Sequence, residues 1–148
     1  MLASTVAACA PSGPSPSRLT ERSPAGLQQM TLDIRSGAKT HRFVVEVARS
    51  FAEQETGLMN RPTLSPDRGM IFPYDPPQPV AFWMKNTLIP LDMIFIRADG
   101  TIARIATAVP LSLEPVPAAE PIAAVLEIGG GRAAELGISE GDLVDWPH

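Results

Sequence analysis

The sequence holds a single cysteine, Cys9, which excludes an intrachain disulfide and any paired-thiol chemistry. Two histidines, His41 and His148, are too few for a transition-metal cluster, so no metal site is expected. No apolar run approaches the roughly 18 residues that a membrane-spanning helix needs. The formal net charge of −4 leaves no basic footprint, which argues against a nucleic-acid partner. No internal repeat is present. What remains is 148 residues with 45% hydrophobic content, enough for one globular domain with a real core.

The chain opens on small apolar residues that end at the lone cysteine, Val6-Ala7-Ala8-Cys9. This resembles the end of a lipoprotein signal peptide, in which Cys9 becomes the lipidated first residue of the mature protein. No positive n-region precedes it and the apolar stretch is short, as if translation began further upstream. The alternative is a frayed terminus with an incidental cysteine. Pro11 to Gly26, rich in Pro and Ser, has too little apolar material to fold and reads as a flexible tether. The expected organisation is a signal remnant over 1–9, a disordered tether over 10–29 and one globular domain over 30–148. The expected location is the periplasm or cell envelope, with any membrane contact made through the lipid alone.

From Met30 the pattern alternates. Met30, Leu32 and Ile34 share one face and Thr31, Asp33 and Arg35 the other, which predicts a half-buried strand. A second strand over Phe43–Ala48 completes a hairpin across Ser36-Gly37-Ala38-Lys39. Ser50-Phe51-Ala52-Glu53 fits a capping box, and Gly57 ends the short helix it starts. Further strands are predicted at Met70–Phe72, Val80–Met84, Leu91–Arg97, Thr101–Thr107, Ile122–Ile128 and Leu143–Trp146. Asp99-Gly100 signals a two-residue hairpin. The proline-rich stretches Pro73–Pro79 and Leu111–Pro121 read as loops, and a second short helix spans Arg132–Leu136. These elements predict an α+β domain built on a mainly antiparallel curved sheet or small β-barrel with two short helices.

Three segments carry a resemblance: Gly57-Leu58-Met59-Asn60-Arg61, Gly69-Met70-Ile71-Phe72 and the run Phe82 to Asp92, FWMKNTLIPLD. They resemble the domain of unknown function 192 family, mostly bacterial and archaeal and uncharacterised. Val125-Leu126-Glu127 and Gly141-Asp142 match its C-terminal part, so the likeness covers about Thr31 to Trp146. It implies a compact β-rich fold and frequent export. It implies no reaction.

Within the central run, Lys85, Asn86 and Thr87 interrupt an apolar strand. A cation, an amide and a hydroxyl side by side can bind a carboxylate, a phosphate or a sugar hydroxyl. Trp83 adds an apolar wall or a stacking face for a sugar ring. If Trp83 and Lys85 share one face, Phe82 and Met84 take the core side. The competing reading is a polar turn in which Asn86 bonds its own backbone. Arg61 and Asp92 are candidates for a structural ion pair, or Asp92 for an acid or base beside Lys85. Glu127, inside an apolar strand, must face solvent or hold a partner such as Arg61 or Lys85.

Other signals are weaker. Gly129-Gly130-Gly131-Arg132-Ala133-Ala134 fits the dinucleotide pattern formally, but only 14 residues follow Ala134, too few for the rest of such a fold. No cofactor is expected. Met59, Met70, Met84 and Met93 are soft donors for copper(I), but their irregular spacing among apolar neighbours indicates core packing.

The leading expectation is a binding module that holds a small polar ligand or cell-envelope glycan through Arg61, Trp83, Lys85, Asn86, Thr87, Asp92 and Glu127. The alternatives are a hydrolase or transferase that uses Lys85 with Asp92 or Glu127 on an envelope substrate, and a structural or protein-interaction domain. Oligomeric state is not legible.

Overall fold

The structure, a computed structural model, describes residues 19–147. The segment 1–9 with its Cys9, and the tether up to residue 18, lie outside the described residues. In chain order the elements are β1 (Leu19–Thr20), β2 (Gln29–Ser36), β3 (Lys39–Val47), α1 (Phe51–Thr56), β4 (Arg68–Gln78), β5 (Ala81–Phe82), β6 (Leu91–Ile96), β7 (Ile102–Ala108), β8 (Val116–Pro117), β9 (Ile122–Gly129), α2 (Arg132–Leu136) and β10 (Leu143–Asp145).

One sheet runs in the order β1-β2-β3-β4-β9-β6-β7, with β10 on the free side of β2. It curls strongly into a half-barrel, the curved α+β architecture expected from the sequence. Its pairings are antiparallel except for β3 with β4, which run parallel over Val44–Val47 and Arg68–Ile71. A parallel pair needs a crossover, and the connection through α1 supplies it. β10 draws the curl together. It pairs with β2, and its Val144 amide donates to the Gly100 carbonyl (2.8 Å) in the β6–β7 turn.

Both faces of the central strands are covered, so β6 is buried at every position. Inside the curl, Met30, Leu32 and Ile34 of β2 and Phe43, Val45 and Val47 of β3 pack against Ile71, Ile94 and Leu126. On the outer face Met70, Phe72, Met93, Phe95 and Val125 pack under Leu58 and Met84 from the covering loops. Each such side chain contributes about 1.5–3 kcal/mol by leaving water. Met70, Met84 and Met93 thus pack in a core.

α1 begins as a capping box. The Ser50 hydroxyl accepts the Glu53 amide, and the Glu53 carboxylate accepts the amides of Ser50 and Arg49, which holds its pKa below the usual range.

Four boundaries differ from the sequence reading. The stretch Pro73–Pro79, expected to be a loop, is mostly strand: β4 continues to Gln78. Beyond Ile71 it has left β3, and its ladder with β9 breaks between Pro73 and Gln78. Prolines are tolerated there because no continuous ladder needs their amides. The strand expected over Val80–Met84 shrinks to Ala81–Phe82. The β6–β7 connection spans Arg97–Thr101, because Asp99 accepts the Thr101 amide (2.9 Å) and hydroxyl (2.7 Å) and shapes a longer turn. Finally, the ordered chain reaches into the stretch read as tether: β1 pairs with β2, and the Ser23 amide donates to the Leu27 carbonyl (2.8 Å).

Candidate functional site

Three connections cover the outer face of the sheet: the crossover with α1, the β4–β6 connection with β5 and the motif, and the β7–β9 connection with β8. Backbone hydrogen bonds fasten them to one another. The Asn60 amide donates to the Asn86 carbonyl (2.8 Å), Met84 to Ser112 (2.9 Å) and Leu111 to Thr87 (3.0 Å). Asn60 (φ 62°) and Asn86 (φ 53°) both adopt the left-handed conformation that asparagine tolerates better than most residues.

Lys85 and Asn86 occupy the tip of a turn closed by the Thr87 amide on the Met84 carbonyl (3.1 Å). Met84 and Thr87 are buried on either side of it. The Thr87 hydroxyl donates to the Lys85 carbonyl (3.1 Å). Trp83 and Lys85 do share the exposed side, with the Lys85 Nζ 5.1 Å from the centre of the Trp83 ring. The polar trio is therefore split: Lys85 and Asn86 face outward, while Thr87 points into the fold.

Between α1, β4, β5 and Trp83 lies a cavity of about 260 Å³. Five of its walls are aromatic: Phe51, Phe72, Tyr74, Phe82 and Trp83. Phe72 and Phe82 meet edge to face at 4.9 Å. Gly57 (φ 48°) lets the chain turn out of α1 against the Phe72 ring, where a Cβ would stand 3.3 Å from Cζ. Phe51 and Trp83 are 83% and 48% exposed, so the cavity opens to solvent past two aromatic edges.

Glu127 lines the same cavity and is only 4% exposed. Its neighbours across β4 and β6 are Met70 and Met93, neither of which can answer a charge. Among the described residues its carboxyl group has no hydrogen bond and no ion pair. Burial pushes its pKa up to about 8, so at neutral pH it is mainly the uncharged acid. Tyr74 is pushed up to about 12, by burial first and by the nearby Glu127 second.

Arg61 pairs with neither residue expected of it. It meets Glu46 of β3, Nη1 to Oε2 at 2.9 Å and Nη2 to Oε1 at 3.3 Å. Glu46 lies beside Met70 on the face that carries Glu127, two strands away, at roughly 10 Å. Arg61 reaches the acid at the sheet's near side and stops there. Asp92 lies on the inner face. Its Oδ1 accepts the Thr107 hydroxyl (2.7 Å) and the Gly131 amide (2.9 Å), and its Oδ2 accepts the Ala133 amide (2.8 Å). It holds the glycine turn and the start of α2 to the sheet; Gly131 (φ 83°) takes the left-handed conformation there, and a Cβ at Gly130 would stand 2.7 Å from Pro90 Cβ. Asp92 and Glu127 thus cannot act as an acid–base pair.

Of the seven residues singled out in the sequence, the structure gathers Trp83, Thr87 and Glu127 at one cavity. Lys85 reaches it only by stacking on Trp83. Asn86 lies outside its lining, and Arg61 and Asp92 are engaged elsewhere. Phe51, Phe72, Tyr74, Phe82 and Glu55 were missed. The available signal was composition: the chain has two Trp, one Tyr and five Phe, and five of these eight meet here. Among the described residues no group of three or more His, Cys, Asp or Glu gathers as a metal site would require.

The chain matches the DUF192 family model, described as an uncharacterized ACR, over residues 32–146. A protein of unknown function from Novosphingobium aromaticivorans DSM 12444 is 45% identical and superposes with a TM-score of 0.83, covering 88% of this chain and 94% of that one. A protein from Sinorhizobium meliloti 1021, described as a candidate transcription regulator, is 40% identical with a TM-score of 0.78, covering 80% and 94%. No curated protein matches.

Proposed function

The chain belongs to the DUF192 family, and within that uncharacterised family we propose that it is a binding module that seats a small polar ligand in the aromatic cavity above Glu127. The observation that carries this reading is the state of Glu127: buried, without a partner, and facing an open cavity. Burial among apolar neighbours disfavours the charged carboxylate, while the carboxyl oxygens still open onto the cavity. A ligand that reaches the carboxyl group supplies the missing bond, while the aromatic walls desolvate the rest of the molecule. Trp83 and Thr87 belong to this site; Lys85 holds the Trp83 ring from outside.

The reading includes export. A lipobox-like Val6-Ala7-Ala8-Cys9 followed by a Pro/Ser-rich stretch supports an envelope lipoprotein tethered by Cys9. Metabolic labelling with a palmitate analogue, lost in Cys9→Ala, tests that part separately. The net charge of −4 argues against a phosphate backbone as the partner.

The test of binding is a thermal-shift screen of the full chain against sugars, peptidoglycan fragments, organic acids and amines, with Glu127→Gln and Trp83→Ala in parallel. A shift in the wild type that both variants lose supports the site. A shift that neither variant changes places the ligand elsewhere.

A second reading, an enzyme, draws on the same residue, because a carboxylic acid still protonated near neutral pH can serve as a general acid. It needs turnover of the bound compound, abolished in Glu127→Gln while binding persists.

A further inference from the structure

Resting on the binding reading above, we propose that the ligand is a small organic cation whose ammonium group lies against the Glu127 carboxylate and between the aromatic walls. The lining sets the sign of the charge. Among the described residues it contains two carboxyl side chains, Glu55 and Glu127, and no Lys, Arg or His. An anion entering it meets no counter-charge, and a neutral ligand can hydrogen-bond the acid but gains no charge attraction from it. A cation meets both a carboxylate and the negative faces of aromatic rings. Stacking and charge act together only for that class. The fold already uses this attraction at the cavity's edge: the Lys85 ammonium sits 5.1 Å from the Trp83 ring centre, on a ring that lines the cavity.

Size and desolvation agree. A cavity of about 260 Å³ lies just below the usual range for drug-sized ligands and suits a compact head group. Among the described residues no cation pairs with Glu127. Arg61 is held by Glu46, and Lys85 is held by Trp83. The floor is thus left for a cation from outside. Binding is an exchange: Glu127 gives up its proton to solvent as the ammonium takes its place, and the net charge of the cavity stays unchanged. The acid held protonated in the empty site is what makes that exchange measurable.

The experiment uses choline and ethanolamine as probes, 3,3-dimethylbutan-1-ol as the uncharged isostere of choline, and glucose and acetate as a neutral polyol and an anion. Thermal shifts are followed by calorimetry at pH 7 in two buffers of different ionisation enthalpy. The expected result is a shift with at least one of the two amines, at least tenfold weaker binding of the isostere, and release of about one proton per ligand. Glu127→Gln should abolish the proton release and weaken amine binding at least tenfold. Trp83→Ala, which leaves the acid in place, should weaken binding and keep the release. Equal shifts with choline and its isostere, or a shift with glucose or acetate alone, overturn the cation and leave the binding reading standing. No shift with any probe overturns both, provided the wild type and Glu127→Gln melt cooperatively.

Discussion

Asp92 and Glu127 stand one register step apart on paired strands and point to opposite faces of the sheet. Met93 is the direct partner of Glu127, and Ile128 that of Asp92. Both residues are buried, at 1% and 4% exposure. One is saturated with three donors and the other has none. Burial is common to both, so hydrogen bonding is what separates the structural acid Asp92 from Glu127, the acid of the proposed site.

The first prediction concerns pH. Glu127 titrates near 8 in the folded chain against 4.5 unfolded, and the cavity's other ionisable groups are Tyr74 and Glu55. Between those values the folded chain keeps a proton that the unfolded chain has released. This contribution to stability is therefore complete below about 4.5, declines as pH rises, and is lost once pH passes 8. The slope is at most about 1.4 kcal/mol per pH unit. Melting temperatures measured from pH 5 to 8.5 should fall more steeply for wild type than for Glu127→Gln, which lacks the titrating group. Parallel curves would mean that the carboxyl group is ionised throughout.

Asp92→Ala removes the acceptor for the Thr107 hydroxyl and for the amides of Gly131 and Ala133. Orphaning these donors should cost about 3 kcal/mol or more, which is on the order of 10 °C in melting temperature for a domain of this size. Amine binding should survive in the folded fraction, because the residue faces away from the cavity. Calorimetry of Asp92→Ala with choline and ethanolamine checks both halves.

The pairing of Arg61 with Glu46 can be measured by a double-mutant cycle. The Glu46 side chain is 9% exposed and that of Arg61 30%, so solvent screens the pair only in part. Arg61→Met should destabilise by about 1–3 kcal/mol, below the full value for a buried pair because of that screening. Adding Glu46→Gln should recover most of the loss in denaturant melts. Additive losses would show that the two side chains do not couple.

Gly69 faces the same strand as the candidate site. A Cβ there would stand 2.3 Å from the Glu127 carbonyl oxygen, and backbone cannot move aside as a side-chain tip can. Gly69→Ala should therefore destabilise by about 1–3 kcal/mol or more. It should also weaken any ligand held by Glu127, by pushing β9 away from β4. Unchanged melting with unchanged binding would contradict the close approach.

Local periodicity carried much of this protein. Met30, Leu32 and Ile34 alternate because one side of β2 faces the core, and the capping residues Ser50 and Glu53 lie within one helical turn. Such signals act between residues close in the chain, so the hairpins, both helices and the FWMKNT run were legible from sequence. The proline-rich end of β4 was not, because whether a proline interrupts a ladder depends on which partner strand is beside it.

The sequence by itself determined that one small α+β domain forms, that its sheet is mostly antiparallel and curved, and that Lys85 to Thr87 interrupt an apolar run. Tertiary structure decided which acid is paired and which is left alone. Arg61 lies 15 residues from Glu46, Asp92 is bound by donors 39 and 41 residues away, and Phe51 and Glu127 meet at one cavity from opposite ends of the domain. No local pattern encodes such pairings. They follow from the register of β4, β9 and β6, which sets the face each side chain takes, and from the loops that close over that face.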